Sequence, residues 1–266
     1  MAFATDGLIT RVTDVGVSDK LVNIITPDRG RIGVFVKGGR SPNSKLTPVS
    51  QLFTYANFEI YEKNSAYVMR GGLIIRPFYE LSIDIEKIAV ATYLCDLANE
   101  LTDEDVGCEA LLKLLLNSLH LICKGEKDIA AIKSVFELRA AAMSGYLPEL
   151  SGCTYCGAQE SEMTYLDVMG GRLICSDCLS KHNARPRVIS KEFDDIPEAS
   201  VLCGLSPAAL AALRFIICSP PGKAFSFELK DPEDLRVLSR ATESYILNHL
   251  GRGFDSLDFY KAVKEK

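Results

Sequence analysis

Histidine is scarce in this chain, three residues in 266, and the three stand far apart. A Ser-His-Asp or Cys-His arrangement therefore has no local signature to support it. The phosphate-binding loop Gly-x4-Gly-Lys-Ser/Thr is missing as well, because Gly222-Lys223 lacks both the upstream glycine and a hydroxyl residue after the lysine. Gly251-x-Gly253 fails as a dinucleotide fingerprint, since Ser256 stands where the third glycine belongs. No carboxylate cluster of the kind a metal-dependent nuclease needs is visible. No run of eighteen apolar residues occurs, and the opening Met-Ala-Phe-Ala-Thr-Asp-Gly has neither the basic region nor the apolar stretch of a secretory leader. The expected setting is the cytosol, and the expected class is a binding protein without turnover.

What is present belongs to an ordinary folded chain, with 47% apolar and 24% charged residues, long enough for two domains. The net charge of −5 argues against a protein basic throughout, but its distribution is uneven. Residues 1–80 carry a balance of +3, and no acid interrupts the stretch from 29 to 45, which holds Arg29, Arg31, Lys37, Arg40 and Lys45. Such a cluster meets phosphates, although a solvated strand edge accounts for it on charge alone.

The first eighty residues read as strands. Gly7–Val12 and Lys20–Ile25 are rich in β-branched residues, and Thr26-Pro-Asp-Arg-Gly30 is a turn signal between the second strand and the third. In the third strand Ile32, Val34 and Val36 alternate with Arg31, Gly33, Phe35 and Lys37, so period two sets three aliphatics against two cations flanking an aromatic. That second face suits single-stranded nucleic acid, with the cations on phosphates and Phe35 stacked on a base; packing of Phe35 under a loop is the competing reading. A flexible basic stretch, 38–45, precedes two further strands at 51–61 and 66–75. Five short strands bent at glycines fit a small Greek-key barrel of the oligonucleotide-binding type, with an SH3-like barrel as the alternative.

From Pro77 the period becomes helical over 81–101, 104–124 and 127–144, with Asp103 as the start signal of the second helix, Gly125 as its stop and His120 as a core histidine. Ser206-Pro207 and Asp231-Pro232 open two more helices by the cap-then-proline device, and Gly251 closes the last. Between the two helical stretches lie Cys153-Thr-Tyr-Cys156 and Cys175-Ser-Asp-Cys178, with eighteen residues separating the pairs. Each pair can bend into a knuckle offering two sulfurs, and the Gly170-Gly171 turn between two short strands completes a ribbon holding one structural Zn2+ through four thiolates. The ribbon cations are few: Arg172, Lys181, Arg185 and Arg187. The remaining cysteines, Cys95, Cys108, Cys123, Cys203 and Cys218, are expected to be small buried hydrophobes.

Taken in order, Gly7-Leu-Ile-Thr-Arg11, Thr26-Pro-Asp-Arg-Gly-Arg31, Val36-Lys-Gly-Gly-Arg40, Phe136-Glu-Leu-Arg139, Gly145-Tyr-Leu-Pro148 and Cys153-Thr-Tyr-Cys-Gly157 resemble the bacterial RecO family of recombination mediators, across essentially the whole chain. Some members of that family lack the cysteines, so the metal rests on this chain's own residues. The expected fold class is α+β and multidomain: an OB-fold barrel at 1–79, a helical domain in two parts at 80–150 and 190–266, and the four-cysteine zinc ribbon inserted at 151–189. The resemblance implies a non-enzymatic DNA repair protein of homologous recombination in the RecF pathway. It would bind single- and double-stranded DNA, anneal complementary strands and help load recombinase onto strands coated by single-strand-binding protein. Its implied partners are RecR, the acidic and apolar C-terminal tail of single-strand-binding protein and, in some settings, RecF. The implied location is the bacterial cytoplasm at the nucleoid. Arg139 is a candidate cation for that tail, with a helix-stabilising ion pair as its other reading. The rival function is a protein-interaction adaptor without direct DNA binding.

Overall fold

Residues 2–64, 66–183 and 201–264 are described by a computed structural model, and they form two compact units, 1–129 with 254–266, and 130–253. The first unit begins with β1 (Ala2–Val15), β2 (Asp19–Thr26) and β3 (Gly30–Val36). A helical turn, α1 (Leu46–Val49), precedes β4 (Thr54–Lys63) and β5 (Ala66–Pro77). The strands close into a barrel in the order β1-β2-β3-β5-β4, with β4 returning to β1. That order and the parallel β3–β5 contact are the oligonucleotide-binding topology, which decides against the SH3-like alternative.

Closure depends on the length of β1. Its first half pairs with β4, from Ala2 against Tyr61 to Leu8 against Tyr55, and its second half pairs with β2. The register shifts between Ile9 and Arg11, so Thr10 is the extra residue of a bulge that bends the strand from one partner to the other. Thr10 Oγ1 donates to Asn99 Oδ1 at 2.8 Å, which satisfies the buried hydroxyl of the bulge residue. The barrel core is the inward set that period two marks, including Ile9, Val22, Ile24, Ile32, Val34, Val36, Phe58 and Ile60.

The rest of the first unit is helical: a 3-10 helix (Tyr79–Ile83), α2 (Ile85–Glu100), α3 (Glu109–Lys124) and, after the second unit, α8 (Asp255–Lys264). Asp84 caps α2 by accepting from the N–H groups of Glu86 and Lys87. Buried residues lie on every side of α2, because it packs on both β1 and α8. Asp96 joins these elements, taking Arg11 at 2.7 Å and the Ser256 hydroxyl at 2.8 Å. The compact unit thus continues past the change of period at Pro77. Asp103 does not start a helix. Residues 103–108 instead form a strap against the β2–β3 turn, with Asp103 O accepting from Arg31 N, Asp105 N donating to Arg29 O and Cys108 N donating to Pro27 O. The cause is tertiary: those peptide groups find partners in the barrel, and α3 opens only at Glu109. Gly125 does end α3, in the left-handed conformation, while His120 is half-buried rather than in the core.

In the second unit α4 (Ile129–Met143) leads to β6 (Glu149–Cys153), β7 (Thr164–Asp167), β8 (Arg172–Cys175), α5 (Ser176–Asn183), β9 (Leu202–Leu205), α6 (Pro207–Cys218) and α7 (Pro232–Leu250). The ribbon hairpin is β7 and β8, and it is wider than its sequence indicates. A four-stranded sheet of order β6-β8-β7-β9 forms because β6 joins β8 in parallel and β9 joins β7 antiparallel. Ser206 and Asp231 cap α6 and α7 as their sequences indicate, and Gly251 closes α7. Inside this unit Lys133 is buried with its ammonium 2.9 Å from both Glu137 and Glu243, and the Thr242 hydroxyl donates to Glu137 at 2.8 Å. Burial works against the charge on Lys133, and the two carboxylates overcome it, so its pKa is raised. The ribbon residues Arg185 and Arg187 lie outside the described residues.

Candidate nucleic-acid interface and metal centre

The alternation along β3 is as its sequence sets it. Ile32, Val34 and Val36 are fully buried, while Phe35 is 39% exposed, Lys37 is exposed and Arg31 is half-buried. The cations that look like one cluster in sequence stand at two ends. Arg29 and Arg31 lie at the β2–β3 turn, whereas Lys37 follows the other end of the strand, about 20 Å away at the rise of an extended chain.

Three of these cations have acids nearby that the local sequence does not disclose. The Arg29 guanidinium lies 4.4 Å from the Phe3 ring centre and 3.8 Å from Asp105 on the strap. Arg40 lies 3.4 Å from Asp14, donates to Gly16 O at 3.3 Å, and its N–H donates to Ser18 O at 3.0 Å. It therefore holds the tip of the β1–β2 hairpin. Lys37 faces Asp19, whose pKa is lowered by the Gly38 N–H, then the Ser18 hydroxyl and, to a smaller degree, by Lys37 itself. Lys45 is exposed just before α1. The 38–45 segment is not an open loop. Successive turns link Gly38 to Ser41 and Ser41 to Ser44, and the Thr47 hydroxyl donates to Gly39 O at 3.1 Å and Ser41 O at 2.7 Å.

Beside Lys37 the barrel wall opens into a recess of ≈ 680 Å³ lined by Ala2, Lys37, Tyr61, Glu62, Val68, Met69 and Arg70. The Arg70 guanidinium stands 5.6 Å from the Tyr61 ring centre. Neither Tyr61 nor Arg70 stands out in the sequence. They come beside Lys37 through the parallel β3–β5 pairing, which sets Phe35 against Val68, and through the β4–β5 pairing, which sets Tyr61 against the same Val68. Only the amphipathic alternation of β4 and β5 hints at them.

The four cysteines converge. Cys153 ends β6, Cys156 follows in a turn where Gly157 N donates to Cys153 O at 2.8 Å, Cys175 ends β8, and Cys178 lies in the first turn of α5. Their sulfurs all lie within 4.8 Å of one another, and Cys156 and Cys175 are 3.7 Å apart. A zinc ion at ordinary Zn–S distance in a tetrahedron separates its sulfurs by about 3.8 Å, so the thiols fit it. Cys175 N points at Cys153 Sγ at 3.4 Å and Cys178 N at Cys175 Sγ at 3.5 Å, donors of the kind that steady thiolates. Burial opposes ionisation of Cys153, yet the N–H groups of Cys175, Cys156 and Tyr155 and the Cys156 thiol bring its pKa down to about 6. Ile174, Tyr155, Leu179 and Leu202 pack around the cluster. A set of four sulfurs leaves no open ligand position, so a metal here would be structural.

The other assignments divide. Arg172 pairs with buried Asp167 at 3.1 Å and secures the β7–β8 turn, while Lys181 is exposed. Arg139 donates to the carbonyl of Ser219, the residue that ends α6, so its observed partner is a helix terminus. Of the five remaining cysteines Cys95 is buried, Cys108, Cys123 and Cys203 are half-buried, and Cys218 is exposed at the end of α6. Burial pushes the Cys108 thiol up to about 11.

Comparison with known proteins gives these features a context. The family model described as recombination protein O N terminal matches residues 1–78, and that described as recombination protein O C terminal matches residues 83–194. The DNA repair protein RecO of Alkaliphilus metalliredigens is 32% identical over 264 residues, 99% of this chain and 100% of the relative. That of Acetivibrio thermocellus is 27% identical over 259 residues, 97% and 96% of the two chains, and that of Symbiobacterium thermophilum 26% over 266, 98% of each. With both terminal models matched in order, over the barrel and over the helices and four-cysteine sheet that follow it, the chain belongs to the recombination protein O family and has a role in DNA repair.

Proposed function

We propose that the chain acts without turnover in homologous recombination, binding single- and double-stranded DNA through its barrel and annealing complementary strands. It helps load recombinase onto strands coated by single-strand-binding protein. RecR, the C-terminal tail of single-strand-binding protein and, in some settings, RecF are its partners, in the bacterial cytoplasm. The observation that carries DNA binding is the outward face of β3, where Arg31, Phe35 and Lys37 are directed away from a fully aliphatic inner face. Cations on that face draw two strands whose phosphates repel each other, and release of counterions drives the association. Arg31, Lys37 and Lys45 are the phosphate contacts of this reading. Arg29 and Arg40 act more through the strap and the hairpin tip that they hold.

The four cysteines would hold one Zn2+, which supplies a crosslink between the ends of β6 and β8 and the start of α5. The chain's own contribution is the sulfur cage and its backbone donors. The test of the DNA reading is single-strand affinity at several salt concentrations for Arg31→Ala with Lys37→Ala. Loss of two phosphate contacts lowers the salt slope by about 1.4 on single strands. An unchanged affinity and slope would overturn it. Strand annealing with and without RecR and single-strand-binding protein then tests the mediator role. A protein-docking role has an observation of its own in Leu73, Ile75, Ile83 and Ile85, all exposed in the first unit, and survives if DNA affinity is absent.

A further inference from the structure

The recess beside Lys37 is not explained by phosphate binding alone. Its volume is that of a small-ligand site, and the recess is broadly open to solvent, as a strand passing over it requires. Its floor is apolar at Val68, which is 7% exposed, and its walls carry an aromatic ring, a guanidinium plane, an ammonium group and one carboxylate. A site for phosphate alone has no use for Tyr61, and Glu62 would repel a phosphate placed against it. An apolar small molecule has no use for Lys37 and Arg70.

We propose that this recess seats one unpaired nucleotide of a DNA single strand, with its base on the Tyr61 and Arg70 planes and its phosphate on the Lys37 and Arg70 charges. The assignment rests on DNA binding by the barrel and deepens it. Base faces stack on aromatic rings and guanidinium planes whatever their sequence. In a duplex those faces are covered by neighbouring base pairs, so only an unpaired base can enter. The carboxylate of Glu62 turns the phosphate toward Lys37 and Arg70 and leaves the base to the Tyr61 side. The β3 face would thus hold either form of DNA by charge, while the recess adds affinity for the single strand only.

The absence of tryptophan from the chain gives a direct test. Tyr61→Trp in the full-length protein creates a unique fluorophore in the recess. Titration with a single-stranded oligonucleotide should quench it, whereas a duplex of equal length, or a strand of abasic sites with the same phosphates, should leave it near its starting intensity. Binding is followed in parallel by anisotropy of the labelled DNA. Tyr61→Ala should weaken single-strand binding about 10-fold with duplex binding unchanged, and Tyr61→Phe should bind as the parent does. Arg70→Ala, at an exposed position, should lower single-strand affinity more than duplex affinity, and it serves if the Tyr61 variants misfold. Unquenched tryptophan at saturating single strand, or equal losses for single strand and duplex, overturns the recess assignment and leaves DNA binding by the β3 face intact. Failure of the parent protein to bind single strands overturns both.

Discussion

Gly30→Ala tests how the β2–β3 turn is held, and its cost can be worked from local geometry. Gly30 has φ of +60°, and a β-carbon there would stand 2.0 Å from Asp103 O and 2.6 Å from Val106 O. Both are backbone oxygens, which no rotamer change can move. The left-handed backbone costs an alanine about 1 kcal/mol. To admit the methyl group the strap must withdraw, breaking Arg31 N to Asp103 O and Asp105 N to Arg29 O, at about 1 kcal/mol each. The expected loss is therefore about 3 kcal/mol. Gly16 is the control. Its φ is +58° with nothing within 4 Å of the added carbon, so Gly16→Ala should cost about 1 kcal/mol. Native-state hydrogen exchange of the β2 and β3 amides reads the opening free energy of this region directly. Equal protection in the two variants would refute the contact between strap and turn, and with it the placement of Arg29 against Asp105.

Other perturbations have defined outcomes. Lys133→Met leaves Glu137 and Glu243 facing each other without a cation, and should lower stability by about 3–5 kcal/mol in denaturant unfolding, partly restored by adding Glu137→Gln. Because the Lys133 pKa is raised in the folded chain, its contribution is full below the ordinary lysine value of 10.5 and is lost as pH climbs through the folded value, which alkaline unfolding of parent and variant would show. Asp19 behaves oppositely: its pKa is lowered, so the Asp19–Gly38 contact holds above pH 3.8 and is lost as pH falls through the folded value, visible as a shift of the Gly38 amide resonance. Cys153→Ser with Cys156→Ser should abolish zinc content by elemental analysis and lower amide protection in β6 and β8. Loss of DNA affinity with that protection intact would show the functional surface to be misplaced.

The parts legible in the sequence are those governed by neighbours along the chain. Alternation in 31–37 gave the inward and outward faces of β3, and Cys-x2-Cys spacing gave the metal cage. Ser206-Pro207, Asp231-Pro232, Gly125 and Gly251 marked helix ends because capping acts within one turn. What escaped depends on partners far away in sequence. Asp103 carries the signal of a helix cap, yet it docks on the barrel because Arg31 offers it an N–H. Asp14 and Asp105 lie outside the acid-free run 29–45 and fold back onto Arg40 and Arg29. Residues 202–205 became a strand only because β7 had an open edge, and Tyr61 and Arg70 gained a setting only when β5 paired with β3. Cys218 was misjudged because an apolar helix does not reveal which of its sides meets solvent.

The parallel joint between β3 and β5 has a kinetic consequence. It consists of two residue pairs, Val34 with Tyr67 and Phe35 with Val68, whereas β1 and β4 zip over seven. With so few ladder pairs it is the weakest seam of the barrel and the first line to open under load. Lys37 on one side and Arg70 on the other flank that line. A strand held by both would act as a clasp, and by mass action would slow the opening of the barrel as its concentration rises. Mechanical and thermal resistance of the empty barrel would then be a poor guide to that of the barrel at work.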